Sequence, residues 1–127
     1  MLAMATRYEQ LYFLDKASKK EIIEAGRLLN KYKKIEKIVE DFKVHPPVTD
    51  LQKGIYSNAT MTKSKLERAV SSIVDLNVRQ LIDYRFIKGN KRAATIQRYS
   101  GWDYCDKTYD RKITEGIESV AESLRYL

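Results

Sequence analysis

Apolar side chains along this chain recur at helical spacing, and no stretch carries the period-two alternation of a strand. From Ala25 the seam continues through Leu28, Tyr32, Ile35, Val39 and Phe42 in alternating steps of three and four. That spacing puts one narrow apolar stripe on a helix, with Lys and Glu filling the other faces. Ser18 and Glu21 have the spacing of a capping box, in which two backbone donors at a helix start are satisfied reciprocally. Upstream, Tyr8, Leu11, Tyr12, Phe13 and Leu14 predict a shorter helix that either continues into the long one or folds back on it. The seam also has the heptad period. It suits the stripe of a coiled-coil dimer, the reading preferred here, and equally one side of an intramolecular hairpin.

The only two prolines, Pro46 and Pro47, interrupt this pattern. From about Val44 to Thr62, residues such as His45, Thr49, Asp50, Gly54, Ser57 and Asn58 carry turn chemistry and predict a linker. Irregular chain of that length is uncommon inside a compact domain, so a boundary is expected there. Helical patterning then resumes. Ser64 and Glu67 have capping-box spacing, and Leu66, Ala69, Val70, Ile73 and Val74 form an apolar face. Asp75 and Asn77 mark a turn, Val78, Leu81, Ile82 and Phe86 continue the core, and Gly89-Asn90 closes the helix through a left-handed residue. A short helix over 91–99, a turn at Ser100-Gly101-Trp102 and a long last helix to Leu124 complete the chain. The core stripe of that last helix is Tyr109, Ile113, Ile117, Val120, Ala121 and Leu124. The expected fold is all-α: an N-terminal helical arm or hairpin (1–44), a linker (45–62) and a C-terminal helix-turn-helix bundle (63–127).

Charge narrows the list of partners. The chain has 127 residues, with 24 Lys+Arg against 17 Asp+Glu and a net charge of +7, which favours a polyanion or an acidic protein face. The single cysteine, Cys105, excludes an internal disulfide and suggests a reducing, cytoplasmic compartment. With one histidine, His45, a structural zinc site lacks ligands, and no cofactor is expected. No apolar run approaches the roughly 20 residues of a membrane span. Five scattered glycines form no phosphate-cradling loop, and the carboxylates lie mainly on exposed helical faces, so catalysis is not expected. Tyr56, Tyr104 and Tyr126, among nine tyrosines, could stack on nucleobases, although tyrosines at core spacing are more often packing residues.

Candidate chemistry concentrates between the two last helices. Short helix, glycine-bearing turn and longer helix make a helix-turn-helix, whose second helix enters the DNA major groove by its N-terminal end. From Arg85 to Trp102 there are five basic residues, Arg85, Lys88, Lys91, Arg92 and Arg98, and no acidic one. This cluster suits contacts to phosphates. If Tyr109 and Ile113 face the core, Lys107, Thr108, Asp110, Arg111 and Lys112 face outward at the start of the reading helix. There Arg111 can offer a bidentate fork to guanine, and Thr108 can reach a phosphate or a thymine methyl.

These same residues resemble sigma-factor region 4 and, more closely, phage late-transcription regulators of the ArpU/RinA type. Phe86 and Gly89 match the aromatic and glycine before the motif, and Ile96 and Tyr99 match the apolar set of its first helix. Thr108, Tyr109, Arg111, Lys112 and Ile113 match the Thr-aromatic-x-Arg-Lys-aliphatic run that opens the recognition helix. The resemblance covers roughly residues 63–127. It implies double-stranded DNA and bacterial RNA polymerase as partners and activation of phage or prophage late genes as the function. Two features depart from the pattern. The turn between Tyr99 and Thr108 is about two residues longer than usual, leaving Asp103, Cys105 or Asp106 as the helix cap, and nothing resembles sigma region 2. Two other readings stay open: a DNA-packaging protein like a small terminase subunit, which pairs the same motif with an oligomerising arm, and a helical protein-interaction module. A ring of many subunits would favour the packaging reading, whereas a monomer, or a homodimer through the N-terminal helix, that contacts polymerase would favour the regulator.

Overall fold

The computed structural model describes residues 15–102 and 106–127, and every described element is helical. The predicted helix around Tyr8–Leu14 lies outside the described residues, as do Asp103, Tyr104 and Cys105. Helix α1 spans Lys19–Asn30 and α2 Tyr32–Val44. The long α3 spans Asp50–Ser71, and α4, Leu76–Ile82, runs straight into a π-helical turn, Asp83–Ile87. Helix α5 spans Arg92–Arg98, a 3-10 turn covers Ser100–Trp102, and α6 spans Asp106–Leu124.

Local chemistry explains most of the boundaries. Ser18 and Glu21 form the expected box: the Ser18 hydroxyl accepts from the Glu21 N–H at 3.2 Å, and the Glu21 carboxylate accepts from the Ser18 N–H at 3.0 Å. Asp75 caps α4 by accepting from the Asn77 and Val78 N–H groups. After the π-helical turn the chain reverses at Gly89, whose φ of 74° lies in the left-handed region that a side chain would disfavour.

The predicted linker over 45–62 is corrected by α3, since only His45–Thr49 is irregular. Thr49 and Gln52 form a reciprocal capping box that starts the helix at Asp50, and Thr62 lies well inside it. Gly54, Ser57 and Asn58 are weak helix formers, but packing of α3 against α2 overrides that preference. Ala59 is buried on the shared face, and the Phe42 and Tyr56 rings meet at 5.6 Å between centroids. The expected box at Ser64 and Glu67 is likewise replaced, because both residues are interior to α3. Glu67 instead accepts from the Tyr32 hydroxyl and from Lys63 Nζ, each at 2.6 Å, joining α2 to α3.

One core connects the two ends of the chain. Ala25, Leu29 and Tyr32 from the N-terminal helices pack in one cluster with Leu66, Ala69, Val70, Val78, Ile82, Phe86, Val120 and Ala121. The seam expected for a dimer is therefore used within the chain: Ala25, Tyr32 and Val39 are all buried. A period of three and four specifies a stripe that must be covered, and here α3 and α6 cover it. Residues 19–35 thus pack into the bundle, while the rest of α2 pairs with α3 as a helical hairpin. Val74 departs from the expected apolar face, being 97% exposed in the turn before α4.

Candidate nucleic-acid interface

The last two helices are held together at their starts. Arg92, the first residue of α5, forms a two-pronged pair with Asp110 of α6: Nε donates to Oδ1 at 3.1 Å and Nη2 to Oδ2 at 3.0 Å. The same guanidinium lies 5.8 Å from the centre of the Tyr109 ring. Thr95 and Tyr109 are buried, and the Thr95 hydroxyl donates to the Lys91 carbonyl at 2.9 Å. Burial raises the Tyr109 pKa above its ordinary value, with the nearby Arg85 and Arg92 charges opposing the shift.

Around this contact the basic residues take different roles. Lys88, Lys91 and Arg98 are exposed, with the Arg98 guanidinium 5.7 Å from the centre of the Tyr84 ring. Arg85 is half-buried: its Nη1 donates to the Asn90 carbonyl at 3.0 Å and its guanidinium lies 5.0 Å from the Phe86 ring centre. It therefore braces the Gly89 turn. Arg92 is about half exposed but committed to Asp110, so these two candidate contacts, one for phosphate and one for a base, face each other. The hydrogen bond from Arg92 is the main cause of the lowered Asp110 pKa.

On α6 the core stripe fixes what points away. Tyr109, Gly116 and Val120 are buried, and Ile113 and Ile117 are half-buried. Lys107 and Arg111, one turn apart, are exposed. Thr108 and Lys112 are half-buried on the flank, where Lys112 Nζ lies 3.6 Å from Glu115. Asp106 is the first described residue of the helix, while Asp103 and Cys105, the other expected caps, lie outside the described residues.

The structure adds a basic residue that sequence reasoning missed. The aliphatic stem of Lys33 lies across Gly89 so closely that a Cβ there would come within 2.8 Å of it. Lys33 and Arg85 line the same small cleft with Asn30 and Phe86. No sequence signal could have paired Lys33 with Gly89, because the contact depends on how α2 crosses the π-helical turn. Among the described residues no group of three or more His, Cys, Asp or Glu is arranged to hold a metal, and no helix is long and apolar enough to cross a membrane. Comparison with protein families, with curated proteins and with solved structures finds no match to this chain.

Proposed function

We propose that the chain is a sequence-specific, cytoplasmic DNA-binding regulator of transcription, with α5 and the first turns of α6 as its helix-turn-helix. The observation that carries this reading is the Arg92–Asp110 pair, which ties the start of α5 to the start of α6 while Lys107 and Arg111 remain exposed. Arg111 is assigned to a base edge, where a bidentate arginine discriminates best. Lys88, Lys91 and Arg98 are assigned to phosphates, with Lys107 and Thr108 at the groove margin. The resemblance to ArpU/RinA-type regulators extends the proposal to activation of phage or prophage late genes together with bacterial RNA polymerase.

The test is binding to a pool of duplexes across a salt series. Arg111→Ala should weaken binding to the preferred duplex by about tenfold or more and relax the preference. Lys91→Ala with Arg98→Ala should weaken all duplexes alike and flatten the salt dependence by about two phosphate contacts. Equal weak binding to every duplex would reduce the proposal to a basic surface, and no binding would end it.

A further inference from the structure

The α2–α3 hairpin ends in an apolar surface that the fold leaves open. The main core cluster takes no residue between Ile35 and Leu66, so the outer part of the hairpin stands clear of it. There Val48 is 80% exposed and Leu51 is 74% exposed, with Val44 and Ile55 also exposed. Leu51 and Ile55, one turn apart on α3, share one side of the hairpin. Ile55 also lines a groove of about 330 Å³ with Ile38 and Phe42 of α2, bordered by Lys34, Lys37 and Asp41. Contiguous exposed apolar surface with a polar rim is a common mark of an association site.

We infer that this side of the hairpin pairs with the same side of a second copy of the chain about a two-fold axis, making a four-helix bundle. Charge selects the occupant. A two-fold interface must be self-complementary, because each residue meets its counterpart's neighbours. The rim supplies both signs, Lys34 and Lys37 beside Asp41, and among the described residues none of these three side chains forms an ion pair. Two amphipathic helices with one stripe buried against each other and a second side apolar are completed by another such pair. This surface lies apart from the buried residues of the seam, Ala25, Tyr32 and Val39, and the inference does not rest on DNA binding.

Sedimentation equilibrium of the full chain tests it. The chain should dimerise, and Leu51→Glu with Ile55→Glu should weaken dimerisation by about tenfold or more without loss of helical circular dichroism. Asp41→Lys and the Lys34→Glu/Lys37→Glu variant should each dimerise weakly alone, and mixing them should restore a mixed dimer. A wild-type monomer at every concentration would overturn the inference. So would a dimer indifferent to Leu51→Glu and Ile55→Glu, or a mixture that fails to pair. A monomer whose melting temperature falls on Leu51→Glu would place the occupant within its own chain, which also overturns it.

Discussion

Two arginine–carboxylate forks hold different ends of this molecule and illustrate different uses of one chemistry. Arg125, just after α6, gives Nε to Glu21 Oε2 at 2.7 Å and Nη2 to Oε1 at 2.8 Å. It also donates to the carbonyls of Asp15 and Lys16, so the C-terminal end is fastened to the start of α1. Its side chain is only 6% exposed. The Arg92–Asp110 fork has similar geometry, but its arginine is 49% exposed. Water and salt screen the exposed pair, which therefore contributes little stability, whereas removing one partner from the sheltered pair leaves donors or acceptors unsatisfied. The sheltered fork is structural. The exposed one is weak and keeps the Arg92 guanidinium occupied by Asp110.

Close packing also joins α4 to α6. A Cβ on Gly116 would overlap Ile82 Cγ1 and fall 3.0 Å from Val78 Cγ1, so α4 and α6 touch at this glycine. Gly116→Ala should destabilise the chain by about 2 kcal/mol, overpacking outweighing a gain of about 1 kcal/mol in helix propensity. Gly26→Ala, whose new methyl would meet only Ile117 at 3.7 Å, should be neutral or slightly stabilising. Thermal unfolding of the two variants checks the opposite signs, and equal effects would contradict the close α4–α6 approach.

Arg125→Ala should lower the melting temperature by several degrees, and Arg92→Ala by clearly less, when both are measured by circular dichroism. Equal losses would erase the distinction between the forks. Acid sharpens it further. The Arg125 hydrogen bonds, helped by the Ser18 N–H, hold the Glu21 pKa down from 4.5 to about 2. A carboxylate with a depressed folded-state pKa contributes stability above its unfolded value and loses it as pH falls. The gap between wild type and Arg125→Ala should therefore be full above about pH 4.5 and shrink toward pH 2. A pH-independent gap would mean that Arg125 acts through packing alone.

The smallest effect on stability is expected for Asp110→Asn, which releases Arg92 without removing it. If the proposed interface is right, DNA affinity should rise, with a salt slope steeper by about one phosphate contact. Fluorescence anisotropy across a salt series reads both. A loss of affinity would assign Asp110 itself to a base contact.

Much of the helical framework was legible locally. The Ser18–Glu21 box, the Asp75 turn, the Gly89 reversal and the α6 stripe each depend on residues within a few positions of one another. The region around Asp50–Thr62 was misleading because its glycine, serine and asparagine score as turn formers, while the surface that holds them helical belongs to α2. For the site, the exposure of Lys107 and Arg111 followed from the stripe. The diversion of Arg85 to Asn90 and of Arg92 to Asp110 did not, nor did the approach of Lys33 to Gly89.

By itself, then, the sequence determined the all-helical character, the Ser18–Glu21 cap, the Gly89 closure and the apolar stripe of α6, since these arise from short-range hydrogen bonding and from periodicity. Only the tertiary structure decided what covers each apolar side. It turned Ala25, Tyr32 and Val39 of the seam inward, made α3 continuous, joined Arg125 to Glu21 and brought Gly116 against Ile82. The physical reason is that periodicity specifies a direction around a helix axis, whereas a partner across the core is chosen by the packing of the whole chain.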